Sequence, residues 1–87
     1  MELKNLERVL KALANKRRLS ILAYLKKYPE ATVGEVASAI HLSIKATSRH
    51  FLLLRNADLV DREQRGTEMF YRLAQPIPFV RSITSFL

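Results

Sequence analysis

The chain contains no cysteine, which excludes a disulfide framework, a thiolate metal site and a cysteine nucleophile. Glycine is scarce, at 2 residues, so no Gly-rich loop is present to cradle a phosphate. Acidic residues are outnumbered: 8 Asp and Glu stand against 15 Lys and Arg, a formal charge of +7. No apolar run approaches the ~18 residues that cross a bilayer. The first residues, Met1-Glu2-Leu3-Lys4-Asn5, alternate charge and apolarity and lack a signal-peptide core. The expected compartment is the cytoplasm. With no metal-ligand spacing and no clustered nucleophile and base, an enzyme is the least expected class, and neither a metal site nor a cofactor is expected.

What remains is an 87-residue chain, 48% hydrophobic and 26% charged, the composition of an ordinary globular protein. Its length bounds one domain over residues 1–87. A chain of this size buries only roughly two-thirds of its unfolded surface, so an oligomeric interface would add to its stability. The cationic excess favours a polyanionic partner, because each Lys or Arg that neutralises a phosphate also releases a counterion. Charge alone leaves simple solubility as an equal alternative.

Leu3, Leu6, Val9, Leu10 and Leu13 recur at helical spacing and predict an amphipathic first helix to about Ala14. Its stripe can face its own core, a partner subunit, or both. Asn15 breaks the pattern and is suited to cap a second helix, Lys16 to Lys27, which buries Leu19, Ile21, Leu22 and Leu25. Pro29 closes it, since the residue before a proline is driven out of the helical region. Thr32 and Glu35 have capping-box spacing and open a short helix with Val33, Val36, Ala37 and Ile40 inward.

His41-Leu42-Ser43 forms the next turn, with Ser43 capping a helix that runs to about Asn56. Its expected buried positions are Ile44, Thr47, Phe51, Leu52 and Leu54. From Leu59 the period shifts towards two. Leu59 to Gln64 and Glu68 to Leu73 predict a hairpin around Arg65-Gly66-Thr67. After Pro76-Ile77-Pro78, the tail Phe79 to Leu87 is apolar at Phe79, Val80, Ile83, Phe86 and Leu87. The predicted class is mainly α with a β-hairpin wing: a winged helix-turn-helix of four helices, two strands and a closing helix.

A helix enters a DNA major groove only if its outward side chains permit close approach and reach base edges or phosphates. The outward residues of the fourth helix include Lys45, Ala46, Ser48, Arg49 and His50. Small residues beside longer donors suit that task. Lys45 and Arg49 are the candidates for base readout, Arg49 by a bidentate contact to guanine. Ser43, Ser48, His50 and Thr32 are candidates for holding phosphates. The competing reading is an amphipathic helix whose polar face simply meets water.

The hairpin adds Arg62, Arg65 and Arg72, with Arg65 and Thr67 at the turn, although Asp61, Glu63 and Glu68 break up the basic strip. Lys16-Arg17-Arg18 is the densest basic cluster. At a helix N-terminus it opposes the dipole. It either reaches the phosphate backbone, with Arg18 the candidate, or pairs one arginine with a carboxylate such as Glu35.

Four segments in this order resemble the ArsR family of winged-helix transcriptional repressors. They are Leu13-Ala14-Asn15-Lys16-Arg17-Arg18-Leu19-Ser20-Ile21-Leu22, the run Leu42 to Phe51, Leu54-Arg55-Asn56-Ala57-Asp58-Leu59-Val60, and Arg65-Gly66-Thr67 through Tyr71-Arg72-Leu73. The resemblance covers Leu10 to Leu73. It implies a homodimeric repressor of double-stranded DNA joined through its first and last helices, residues 1–14 and 78–87. Leu3, Leu6, Leu10, Phe79, Val80, Ile83 and Phe86 would then be dimer surface.

Three departures qualify what the resemblance implies. The stretch Thr32 to Ala39 has no cysteine pair, and Phe79 to Leu87 has no Asp or His, so neither familiar metal-sensing site of the family is carried over. Asp58 stands at the family's usual glycine, a position Asp tolerates better than most residues if the backbone is left-handed. No residue names a small-molecule effector. Two other classes remain open: a winged-helix module that docks a protein through its apolar end helices, and a non-specific nucleic-acid binder.

Overall fold

Three helix starts are fixed by side-chain oxygens three residues upstream of the amide they receive. In this computed structural model, which describes residues 2–74 together with 82, 85 and 87, Asn15 Oδ1 accepts from the Arg18 amide at 3.0 Å. Thr32 Oγ1 accepts from the Glu35 amide at 3.2 Å, while Glu35 Oε1 accepts from the Thr32 amide at 2.8 Å. Ser43 Oγ accepts from the Ala46 amide at 3.1 Å. These caps satisfy amides that have no partner inside their helices. They start α2 (Lys16–Lys27), α3 (Val33–Ala39) and α4 (Ile44–Asn56), which follow α1 (Leu3–Leu13).

The C-terminal ends of α3 and α4 share one device. His41 and Asp58 both adopt left-handed backbone, with φ of 56° and 58°. At the first, the Leu42 amide donates to Ala37 O at 3.0 Å and His41 to Ser38 O at 3.3 Å; at the second, Leu59 donates to Leu54 O and Asp58 to Arg55 O, both at 2.9 Å. This is the Schellman arrangement, which normally recruits glycine. Asp58 takes the conformation expected of it. The same requirement at His41 is an addition from the structure.

Three antiparallel strands follow the order β1-β3-β2, with β1 at Ala31–Thr32, β2 at Val60–Arg65 and β3 at Glu68–Leu73. The β2–β3 hairpin turns at Gly66, whose φ is 62°, with Arg65 opposite Glu68. Strand β2 begins and ends one residue later than the sequence pattern suggested. Strand β1 pairs Ala31 with Tyr71 and Thr32 with Phe70, which makes β3 the middle strand.

The core gathers Val9 and Leu13 of α1, Ile21, Leu22 and Leu25 of α2, Val36, Phe51, Leu54, Leu59 and Tyr71. Phe51 and Tyr71 stack with ring centroids 4.1 Å apart and join α4 to the sheet. Thr47 is fully buried, and its hydroxyl is satisfied by donating to Ser43 O at 2.8 Å.

Two expected core residues are not in the core. Ile44 is 61% exposed and Leu52 is 52% exposed. Helix α4 buries only the narrow arc of Thr47, Phe51 and Leu54. Ile44 lies in its first turn, at the free end, and Leu52 lies about 100° around the axis from Phe51.

The α1 stripe divides. Val9, Ala12 and Leu13 pack inward, Leu6 is half-buried, and Leu3 and Leu10 remain in solvent. Most of the predicted closing helix, with the expected dimer positions Phe79, Val80, Ile83 and Phe86, lies outside the described residues.

Candidate nucleic-acid interface

With Thr47, Phe51 and Leu54 turned inward, α4 exposes Lys45, Ser48 and Arg49, while Ala46 and His50 are half-buried at its flank. Helix α4 contains no carboxylate. Its outward strip therefore offers donors and positive charge with small side chains between them, which suits an anionic, grooved surface. Ser43 and Thr32 are already engaged as caps, but only through oxygen lone pairs. Their hydroxyl hydrogens can still be donated to a phosphate.

Arg18 has a more definite structural role than a surface cation. Its Nε donates to Ala12 O at 2.6 Å and its Nη2 to Lys11 O at 3.1 Å, at the end of α1. Its Nη1 lies 3.4 Å from His50 Nδ1. Carbonyls and an imidazole, rather than Glu35, are its partners; Glu35 is used in the capping box. Arg18 thus ties the α1–α2 corner to the flank of α4.

Burial holds the His50 pKa below its ordinary value, and the positive charges of Arg18 and Arg17 act in the same direction. A neutral ring that accepts at Nδ1 carries its proton on Nε2. That proton gives His50 one donor, and the tautomer is set by Arg18.

The wing differs most from the expectation. Arg65 is held in a network instead of standing free at the tip: Nη1 and Nη2 donate to the two oxygens of Glu30, each at 2.7 Å. Nη2 also reaches Glu63 Oε1 at 2.9 Å, and Arg72 reaches the same oxygen at 3.3 Å. The guanidinium lies over the Phe70 ring, 4.8 Å from its centroid. These ion pairs hold the Glu30 and Glu63 carboxyls below their usual range and raise the Arg65 pKa. Thr67 is exposed in the turn. Arg62 is exposed and makes no ion pair among the described residues.

Sequence reasoning did not foresee a cleft of about 380 Å³ between α1 and the far end of α4, lined by Lys4, Glu7, Arg8, Lys11, Leu53 and Asn56 together with Ala12 and Arg18. The cations of α1 were visible in the sequence; their convergence on α4 was not. Among the described residues no cluster of three or more His, Cys, Asp or Glu side chains is placed to hold a metal ion. Among the same residues no helix is long and apolar enough to cross a membrane.

Comparison with known proteins agrees with this geometry. The chain is 42% identical over 66 residues to the transcriptional activator HlyU of Vibrio cholerae, a match taking in 76% of this chain and 60% of that protein. It is 35% identical over 68 residues to the arsenical resistance operon repressor of Escherichia coli, covering 78% of this chain and 58% of the repressor. The chain thus spans less than two thirds of either regulator's length. The homodimeric winged helix-turn-helix DNA-binding domain from Mycobacterium bovis superposes with a TM-score of 0.86 at 33% identity, covering 97% of this chain and 75% of that one. Residues 15–62 match the profile of the bacterial regulatory protein, arsR family. A winged helix-turn-helix fold, a capped and carboxylate-free fourth helix and this match together place the chain in the ArsR family.

Proposed function

We propose that this chain is a sequence-specific, double-stranded DNA-binding transcription regulator that acts as a homodimer, without catalysis and without a metal or other cofactor. The observation that carries the reading is the outward strip of α4, where Lys45, Ser48 and Arg49 stand in solvent on a helix with no carboxylate. In this reading Lys45 and Arg49 contact base edges, and Ala46 permits close approach. Ser43, Ser48, Thr32 and His50 donate to phosphates. Arg18 contributes positive charge and holds His50 in place. Arg65 and Thr67 meet the backbone at the wing, Arg65 by exchanging carboxylate oxygens for phosphate oxygens.

Residues 1–14 and 78–87 form the dimer surface in this proposal. Support comes from Leu3 and Leu10, 82% and 49% exposed on α1, and from the homodimeric state of the Mycobacterium bovis relative. Two reading helices would then address half-sites about one helical turn apart, roughly 34–36 Å, or a multiple of it. A small dimer seated on an operator blocks access to it, so repression is the proposed mode. Relatives named as activator and as repressor both exist. The proposed setting is the cytoplasm, where the chromosome of a bacterial regulator lies.

Selection of bound duplexes from a random pool tests the proposal, and an enriched palindrome is the expected result. Arg49→Ala should cost about 1–3 kcal/mol on the enriched site and relax preference at one position. Arg65→Ala should weaken all sequences alike. Equal, sequence-blind losses from both changes would refute the readout assignment. No duplex binding even at low salt would favour a protein-docking module.

A further inference from the structure

The outward strip of α4 is not polar throughout. Ile44 and Leu52, 61% and 52% exposed, stand at either end of a row with Ser48 between them, at steps of four residues. Such a row drifts only about 40° around the axis per step. Lys45 and Arg49 form the adjacent row. Neither Ile44 nor Leu52 belongs to the buried core or to the half-buried side chains packed against it. Leu53 points elsewhere, into the cleft beside Lys4 and Arg8. Among the described residues, folding therefore leaves more than half of each of these aliphatic residues in solvent.

What covers them must be anionic overall, because the neighbours are Lys45 and Arg49 with no acid on the helix, yet must offer small apolar spots. The major groove of duplex DNA has such a feature: the 5-methyl group of thymine projects from the base edge among hydrogen-bonding atoms. We infer that Ile44 and Leu52 are specificity-determining residues that read thymine by packing against its 5-methyl group. The inference rests on the DNA-binding reading above and deepens it. Cytosine carries only hydrogen at that ring carbon, so the aliphatic contact selects thymine by the attraction of its methyl group. The two side chains are about 12 Å apart along the helix axis. At ~3.4 Å per base, their thymines lie within about four base pairs of each other in one half-site.

The test uses the full chain and the duplex it enriches from a random pool. Each thymine in turn is replaced by deoxyuridine, which keeps base pairing and removes only the methyl group. One buried methyl corresponds to about a four-fold loss of affinity, expected at one thymine for each of the two side chains. Ile44→Ala should abolish the sensitivity at one position and keep it at the other, and Leu52→Ala should do the converse. Both positions are exposed, so circular dichroism should show unaltered folding. An enriched duplex whose thymine methyl groups make no difference to the wild-type chain overturns the methyl contact alone. So does a wild-type sensitivity pattern that persists in both variants. A pool from which nothing is enriched overturns sequence-specific binding, and this inference with it.

Discussion

Replacing Phe51 by leucine would test how firmly the reading helix is joined to the wing. Phe51 is fully buried on α4 and Tyr71 is 7% exposed on β3; their rings lie 4.1 Å apart at an interplanar angle of 28°. An aromatic pair contributes about 0.5–1.5 kcal/mol beyond the area it buries. Truncation to alanine would add a cavity and cost about 3–5 kcal/mol, a large share of the ~5–15 kcal/mol that holds a domain together. Leucine keeps most of the apolar volume and removes the stack, so it isolates the pair. Urea unfolding of Phe51→Leu, Tyr71→Leu and the double variant, at one fixed protein concentration, closes a double-mutant cycle. The expected coupling is about 0.5–1.5 kcal/mol. Losses that add to within about 0.3 kcal/mol would refute the argument that the stack joins the two elements.

Three further outcomes follow from the site. Glu30→Gln removes the carboxylate that Arg65 meets with two 2.7 Å bonds, so DNA binding should strengthen and its salt dependence steepen by up to about one unit of log–log slope; a salt titration with an unchanged slope would argue against a phosphate role for Arg65. The folded chain favours neutral His50, whose pKa lies below 6.5. Its contribution is complete above the unfolded pKa and is lost as pH falls from there through the lowered folded value. Thermal melts between about pH 7 and 5 should show that loss, and His50→Gln should reduce it; an equally steep profile in the variant would place the proton elsewhere. Leu10→Glu puts a charge on the exposed side of α1 and should yield monomers by sedimentation where the unaltered chain is dimeric; an intact dimer would move the interface away from Leu10.

The helix boundaries were legible because capping is local. Asn15, Thr32 with Glu35, and Ser43 each act on an amide three residues away, a distance the sequence displays directly. Strand β1 was not legible: two residues carry no periodicity, and Thr32 reads first as a cap. Ile44 and Leu52 were misplaced because an apolar residue near a helical stripe looks buried, whereas the width of the buried arc is set by what packs against it. Arg18 and Arg65 were singled out as candidate phosphate contacts, but the partners they have within the fold were out of reach. One uses carbonyls of the preceding helix, and the other a carboxylate 35 residues away. Sequence displays charge; only the folded chain displays which charges are already neutralised by neighbours.

Thr32 ends β1, pairs with Phe70 in the sheet, and caps α3 through its own hydroxyl. One residue thus belongs to the wing's sheet and to the helix-turn-helix, with no spacer between them. The Phe51–Tyr71 stack joins the same two parts a second time. Each subunit should therefore meet DNA as a stiff plate whose helix and wing keep a constant separation. An operator with altered half-site spacing would have to be met by rotation between subunits or by bending of the duplex. One extra residue inserted between Thr32 and Val33 should uncouple wing from helix, a mechanical lesion in a chain whose DNA-facing side chains are all intact.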